Sequence, residues 1–485
     1  MLRPAVLIVL LLAAGIHGCT TNPITGKKQP SLMSEEREIA TGREFDPKIR
    51  KQYGVYDDPE LQAYVTRVGK KLAAQSHRTD LVYRFTVLDS PEVNAFALPG
   101  GYIYITRGLM AYLNSEAELA AVLGHEIGHV TAKHAMRQYT TATAASIGYT
   151  IGALFIPELA NQNAANLFNV LGSALISGYG REHELEADRL GAEYLARGGY
   201  DPQAILAVLG VFKNQEEFEK ERAKIEGREA RVYHGVFASH PSADQRLQEV
   251  VAESKQSTAA TPRVGRDEFL AQVDGVLFGD SVRQGIRYNQ KFFHSKLGFA
   301  LEFPPGWRIE NRPKQIEATS RDSNAVMVLT VEDLNRRISP REFMLKRLRL
   351  KKLKQEGTLT GTDLEGYTAI TRVHGLFGLR HTRVTVVYFN DKAYIFHATG
   401  KTDSAFQAAD ELFLQTARSL HALTGDEHKL AQGLRITIID TNHNDSFAEL
   451  AVGSPIPNYP ARMLRLINDK YPQGRPGVGK LKVIR

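Results

Sequence analysis

The sequence predicts an α+β protein: a mainly helical domain with a small β-sheet, then an α+β accessory domain, then a short C-terminal module. Three observations carry this. Apolar residues recur at helical spacing through much of the first 256 residues, as in Leu61, Tyr64, Val65, Val68 and Leu72. Inside that stretch the pattern changes to strand-like runs at 83–88 and 101–106. Beyond a polar break near 257–262, apolar runs of strand length mix with two helical stretches. At 485 residues the chain is too long for one ordinary core. With 43% hydrophobic and 24% charged residues it is neither disordered nor a multi-span membrane protein. A net charge of +7 spread along this length gives no reason to expect nucleic acid as a partner.

Residues 1–18 have the layout of a secretory signal: Arg3, then an apolar run from Ala5 to Gly15 that is too short to span a bilayer. Ile16-His17-Gly18-Cys19 resembles a bacterial lipoprotein lipobox, with His17 where a small or apolar residue is usual. The resemblance implies lipidation of Cys19 as the mature N-terminus. Thr20 after it resembles lipoproteins forwarded to the outer membrane of Gram-negative bacteria, which implies a periplasmic, lipid-anchored protein. A plain secreted protein with a chance cysteine is the alternative. Cys19 is the only cysteine, so one chain forms no internal disulfide.

Residues 19–33 are polar and rich in turn formers, which suits a tether. Residues 34–75 are helical in pattern, and strands at 83–88 and 101–106 flank the segment from Asn94 to Gly101. Ser115 with Glu118 forms a capping box that opens a helix through Leu119, Leu123 and His125. Between Arg137 and Arg181 the only charge is Glu158. That stretch is either a pair of packed helices or a segment dipping into a membrane, and Pro157 and four asparagines oppose a complete span. A helix over 181–197 ends at Gly198-Gly199, helical character continues to about 256, and 257–284 reads as a linker.

The accessory domain is expected over 285–424, with strands at 299–307, 325–330, 382–389 and 393–398 and helices around 340–354 and 404–421. The basic run Lys346 to Lys354 alternates with leucines and reads as the solvated face of an amphipathic helix, with an anionic-lipid or nucleic-acid patch as the alternative. Over 430–485, Ser446 to Ala451 and Leu464 to Asn468 resemble a LysM-like glycan-binding module, which implies peptidoglycan as a partner. A plain terminal subdomain is the alternative.

The chemistry lies in His125-Glu126-Ile127-Gly128-His129. Zinc in a hydrolase needs three protein ligands and one open position for water, whose pKa it lowers towards neutrality. His125 and His129, four apart on a helix, project from one face and meet one ion. Glu126, beside them, is placed to move a proton between that water and a leaving amine. Gly128 permits close approach of another element. A metzincin needs glycine and histidine where this chain has Ala132 and Ala135, and His134 comes one position too early. A carboxylate alternative is present downstream in Arg181-Glu182-His183-Glu184-Leu185-Glu186-Ala187-Asp188.

The helical HEIGH, the downstream Glu-x-x-Ala-Asp and the segment Val93 to Gly101 together resemble the gluzincin zinc metalloprotease family of HtpX, the CAAX prenyl proteases and periplasmic BepA. Those motifs fall within residues 40–250. The resemblance implies a zincin-type protease domain over 34–256 holding one zinc ion through His125, His129 and Glu184. It implies Glu126 as general base and acid, and Asp188 as the partner orienting a ligating imidazole. Asn94, Ala95, Phe96 and Ala97 resemble the strand that binds substrate in that family, with a plain core hairpin as the alternative. Ser239 to Arg246 resembles the family's His-Pro segment. There His240 stabilises an oxyanion or occupies the open zinc position, and Arg246 supports either state. His134 and His183 have no such support, and Glu182 and Glu186 are expected to be solvated surface.

The function expected is a zinc-dependent metalloendopeptidase of the cell envelope acting on unfolded or misassembled proteins. The alternatives are a non-proteolytic assembly or peptidoglycan-binding factor, and an enzyme cutting peptidoglycan cross-links. BepA-like proteins carry helical repeats after the protease, and this chain has no such period, so an assembly role does not carry over.

Overall fold

The computed structural model describes residues 19–31, 33–141, 179–230, 262–312 and 315–485. Within the stretch expected to be a tether, β1 (Cys19–Thr21) and β2 (Lys28–Pro30) pair as a short hairpin. Ser34 accepts from Arg37 N to cap α1 (Glu35–Tyr53), and Asp58 accepts from Leu61 N to cap α2 (Pro59–Ala73). The face of α2 set by Leu61, Tyr64, Val65, Val68 and Leu72 is buried, as its spacing predicts.

Three strands follow: β3 (Arg84–Leu88), β4 (Ala95–Leu98) and β5 (Tyr102–Thr106). β5 is central, parallel to β3 and antiparallel to β4, so among the described residues β4 is an edge strand. Gly100 and Gly101 both take positive φ in the tight return between β4 and β5.

α3 (Arg107–Met110) leads to α4 (Glu116–Thr131), which Ser115 caps as expected, while the return bond of Glu118 goes to Asn114 N rather than to Ser115 N. Ser115 Oγ accepts from Glu118 N at 3.2 Å, and Glu118 Oε2 accepts from Asn114 N at 2.7 Å. α5 (Arg181–Arg197) and α6 (Ala204–Glu226) pack against this largely buried helix. Glycine makes the α4–α5 approach possible: a Cβ on Gly128 would lie 2.9 Å from Ala187 O, and one on Gly191 would lie 3.1 Å from His125 N. The expectation that Gly128 admits another element therefore has a named neighbour. Of the expected membrane-dipping or helix-pair stretch, residues 142–178 lie outside the described residues, as do His240 and Arg246.

The expected linker over 257–284 is corrected in its described part. α7 (Arg266–Val273) buries Phe269, Leu270 and Val273, and the carbonyls of Gly265 and Val264 accept from Glu116 N and Ala117 N at the head of α4. These apolar side chains at helical spacing favour packing over a free tether. β6 (Leu277–Phe278) follows. The chain divides into two compact units, Met1–Phe278 with Arg435–Arg485, and Gly279–Leu434.

The strands of the second unit are β7 (Ile286–Tyr288), β8 (Lys291–His294), β9 (Phe299–Glu302), β10 (Arg308–Arg312), β11 (Gln315–Thr319), β12 (Ala325–Asp333), β13 (Lys354–Thr358), β14 (Gly366–Gly375), β15 (Gly378–Phe389), β16 (Lys392–Gly400) and β17 (His421–Ala422). A seven-stranded antiparallel sheet runs β10-β11-β12-β16-β15-β14-β13, and a four-stranded one runs β17-β9-β8-β7. Its helices are α8 (Pro340–Glu342), which continues as a π-helix over Phe343–Arg347, then α9 (Asp403–Arg418) and α10 (Gly425–Leu430). The helix expected to reach 354 stops at Arg347. Arg349 and Lys352 both take φ 54, and Leu348, Leu350 and Leu353 turn inward onto the Phe343 and Val384 cluster. From Leu348 to Leu353 the basic run is thus an irregular loop, not a helix face.

The chain then forms β18 (Leu434–Thr441), α11 (Phe447–Leu450), α12 (Pro460–Ile467) and β19 (Gly479–Ile484). The separate module expected over 430–485 instead belongs to the first unit from Arg435 onward. A two-stranded ribbon is marginal alone, and β18 completes a three-stranded sheet between β19 and β6. Lys482 on β19 adds a polar tie, donating to Ala111 O at 2.8 Å and Leu113 O at 2.6 Å. Among the described residues no helix is long and apolar enough to cross a membrane.

Candidate metal centre

α4 carries His125 and His129 one turn apart, so their Nε2 atoms come within 2.9 Å of each other. α5, held close by the glycine contacts, brings Glu184 between them. Its Oε2 is 3.5 Å from His125 Nε2 and its Oε1 is 3.6 Å from His129 Nε2. One ligand atom from each of the three residues lies within 4.8 Å of the others, and all three residues are buried. Two imidazole nitrogens and a carboxylate converging on one point form a donor set that fits a divalent metal of the zinc type.

The far sides of both imidazoles are held. His125 Nδ1 lies 2.8 Å from Asp188 Oδ1, one turn beyond Glu184 on α5. His129 Nδ1 lies 2.7 Å from His134 Nδ1, and His134 Nε2 lies 3.1 Å from Glu186 Oε2. Arg137 Nη1 donates to the same Glu186 oxygen at 2.6 Å. The tautomers follow from the ends of this chain of contacts. Glu186 is ionised, its carboxyl drawn down to about 2 by the His134 hydrogen bond and by Arg137. It therefore accepts a hydrogen bond from His134 Nε2–H. Burial holds His134 below its ordinary value, so His134 is neutral and its Nδ1 accepts from His129 Nδ1–H. That leaves the lone pair of His129 on Nε2, facing Glu184 and His125.

This relay corrects the reading of Glu186 as solvated surface and gives His134 a place at the centre. Glu182 is exposed, as expected. The ring of Tyr179 stacks on His129 at 4.3 Å, and that of His183 stacks on His134 at 4.3 Å. Burial and the neighbouring His134 and Arg137 push His183 down to about 4, so it adds no charge there at neutral pH. Sequence spacing pointed to none of these contacts. The available signal was His134, Arg137 and Glu186 as complementary groups flanking the two motifs.

Glu126 follows His125 on α4 and shares a cavity of about 30 Å³ with it. The apolar wall of that cavity includes Ala95, Leu109, Val122, Val208, Leu209 and Phe212. On the other flank, Ala97, Leu98 and Pro99 line a second small cavity with His129 and Tyr179. β4 therefore passes both sides of the metal group. Within the expected substrate strand the residues diverge. Ala95 and Ala97 line the two cavities, Phe96 stacks on Tyr104 at 5.0 Å, and Asn94 is tied to Thr106 through its own N–H and C=O.

Residues 59–254 match the model of Peptidase family M48. The putative beta-barrel assembly-enhancing protease of Vibrio cholerae is 31% identical over 189 residues, covering 38% of this chain and 39% of that one. The beta-barrel assembly-enhancing protease of Escherichia coli K12 is 27% identical over 260 residues, covering 52% of this chain and 51% of the relative. The mitochondrial metalloendopeptidase OMA1 of Arabidopsis thaliana is 34% identical, covering 35% of this chain and 34% of its own length. The chain thus spans about half the length, or less, of these relatives, and the residues matched by the family model lie in the unit that carries the metal group.

Proposed function

We propose that this protein, whose residues 59–254 match the model of Peptidase family M48, is a zinc-dependent metalloendopeptidase of the bacterial cell envelope that hydrolyses peptide bonds in unfolded or misassembled proteins. The observation that carries the proposal is the meeting of His125, His129 and Glu184 from two helices, with Glu126 and the edge strand β4 beside them.

Those three residues would hold a zinc ion, which when bound would polarise a peptide carbonyl and acidify a water. Glu126 takes the proton of the attacking water and passes it to the leaving amine. Asp188 and His134 occupy the Nδ1 sides of the two imidazoles, which keeps both Nε2 atoms available. β4 binds the substrate as an added strand. Asn94 O accepts from Thr106 N, so by antiparallel alternation Phe96 and Leu98 face β5, and the main-chain groups of Ala95 and Ala97 face outward. Recognition through main-chain groups reads an extended backbone rather than a sequence. It admits an unfolded chain and rejects a folded one.

Lipidation of Cys19 fixes this activity at the outer membrane, which radiolabelled palmitate incorporation, lost in Cys19→Ser, tests directly. The mechanism is tested with the chain from Thr20 onward. Wild type and Glu126→Gln are each expected to hold about one zinc per chain, and only wild type is expected to cut casein. Absence of zinc, or equal cleavage by both, sinks the mechanism. Cleavage of peptidoglycan but not casein would redirect the reading to cell-wall cross-links.

A further inference from the structure

The second unit carries a feature unrelated to the metal group. β14 and β15 form a long hairpin that closes at the pair Gly375–Gly378, so its loop is the two residues Leu376 and Phe377. Two-residue hairpin loops favour Asn, Asp and Gly. Here Leu376 is 66% exposed and Leu379, just past the turn, is 42% exposed. A large apolar side chain at the apex of a projecting turn serves no core, and exposed apolar clusters of this kind mark contact with another phase or molecule.

Behind the apex lies uncompensated positive charge. The exposed cations Arg349, Lys351, Lys352, Lys354, Arg372 and Arg380 have no carboxylate partner among the described residues, whereas Arg347, Lys346 and Arg383 nearby are each paired. No Asp or Glu occurs over residues 343–355 or 366–390. The topology puts these groups at one end of the sheet. β13 runs antiparallel to β14, with Lys354 opposite Ile370, and Lys351 O accepts from Thr371 Oγ1 at 2.7 Å. The loop that precedes β13 therefore sits beside the end of β14 that leads to the apex. At about 3.3 Å per residue, Arg380 stands roughly 10 Å behind Phe377 and Arg372 roughly 13 Å behind Leu376.

We infer that the Leu376–Phe377 hairpin tip and its basic collar form a docking element for an anionic phospholipid bilayer. Apolar groups that enter the acyl boundary by about 5–10 Å leave cations at this setback level with the headgroup phosphates. A convex apolar tip suits a fluid bilayer, which deforms around it. A nucleic acid or an acidic protein would use the collar and leave Leu376 and Leu379 without a role. Such docking acts independently of any acyl group at Cys19 and of the proteolytic reading.

The test uses the chain from Thr20 onward, which has no acyl anchor, with vesicles of phosphatidylcholine alone or with 30% phosphatidylglycerol. Cosedimentation is expected to be at least tenfold stronger on the anionic vesicles. Leu376→Ser with Phe377→Ser is expected to weaken it at least fivefold, and Lys351→Glu with Lys352→Glu to weaken it by a similar factor, both variants retaining wild-type circular dichroism. Phe377→Trp reports the tip itself, with a blue-shifted emission quenched by brominated lipid. Equal binding to neutral vesicles, undiminished binding by the double serine variant, or retention on heparin without vesicle binding would each overturn the inference.

Discussion

His129 Nδ1 lies 2.7 Å from His134 Nδ1, and this contact decides which nitrogen of His129 faces Glu184 and His125. Two ring nitrogens share one proton only if one ring donates and the other accepts. With Glu186 and Arg137 fixing the far end, His129 is the donor. Partners of this kind typically contribute 10–100-fold to metal affinity. His134→Phe is therefore expected to weaken zinc binding by about that factor in chelator competition, with Glu186→Gln intermediate. His134→Gln, whose amide oxygen can accept from His129, recovers part of the loss. His183→Phe keeps the ring stacked on residue 134 and leaves affinity unchanged. Wild-type affinity in His134→Phe would remove the relay from the account.

The α4–α5 contact is a second determinant of the centre. A Cβ at residue 128 meets the main chain of Ala187, at 2.9 Å from its oxygen and 3.1 Å from its Cα, and no side-chain rotation relieves this. Gly128→Ala is expected to cost about 1–3 kcal/mol in denaturant unfolding, as overpacking does. It should also weaken zinc binding, because Glu184 lies on the helix displaced. Gly210→Ala on α6 meets nothing within 4 Å and is the matched control, expected to be neutral or slightly stabilising. Equal effects of the two substitutions would refute the close-packing explanation.

The cavity beside Glu126 predicts substrate preference. Its walls of Leu109, Val122, Leu209 and Phe212 suit an apolar side chain next to the cleaved bond. Val208→Phe fills it from α6. Its kcat/KM is expected to fall roughly tenfold or more for a peptide with leucine at that position, and little for one with alanine, at unchanged zinc content. A uniform fall across both peptides would assign Val208 to stability rather than specificity.

What could be read from sequence was local. Ser115 and Glu118 marked the start of α4, Gly198-Gly199 marked the end of α5, and the alternation around β3 and β5 identified the small sheet. The group formed by His125, His129 and Glu184 was legible because a motif specified each residue. The Glu186–His134 pairing was not, because it depends on the turn after α4, where Lys133 takes φ 55 and carries His134 back against His129. No helical spacing describes that reversal. The same holds for 348–353, where leucine spacing suggested a helix face while positive φ at Arg349 and Lys352 breaks the helix and lets the leucines pack from a loop. The place of β18 and β19 in the first unit depends on pairing with β6, some 160 residues earlier in the chain, a contact with no local signature.

Lys482 gives the C-terminal strand a pH dependence that can be measured. Its ammonium is buried under the loop before α4, bonded to the carbonyls of Ala111 and Leu113. Burial pushes it below the ordinary lysine value; Glu118 and Asp469 oppose that shift and Arg266 reinforces it. A buried base with a depressed folded value binds fewer protons than the unfolded chain between that value and about 10.4, so stability rises with pH across the window and levels off below it. The thermal midpoint of wild type is therefore expected to gain on that of Lys482→Met as pH is raised from about 7 to 10. The methionine keeps the aliphatic stem and has no charge to desolvate. Parallel pH profiles for the two proteins would show that the lysine is solvated in the native state and that its ammonium does not govern the stability of β19.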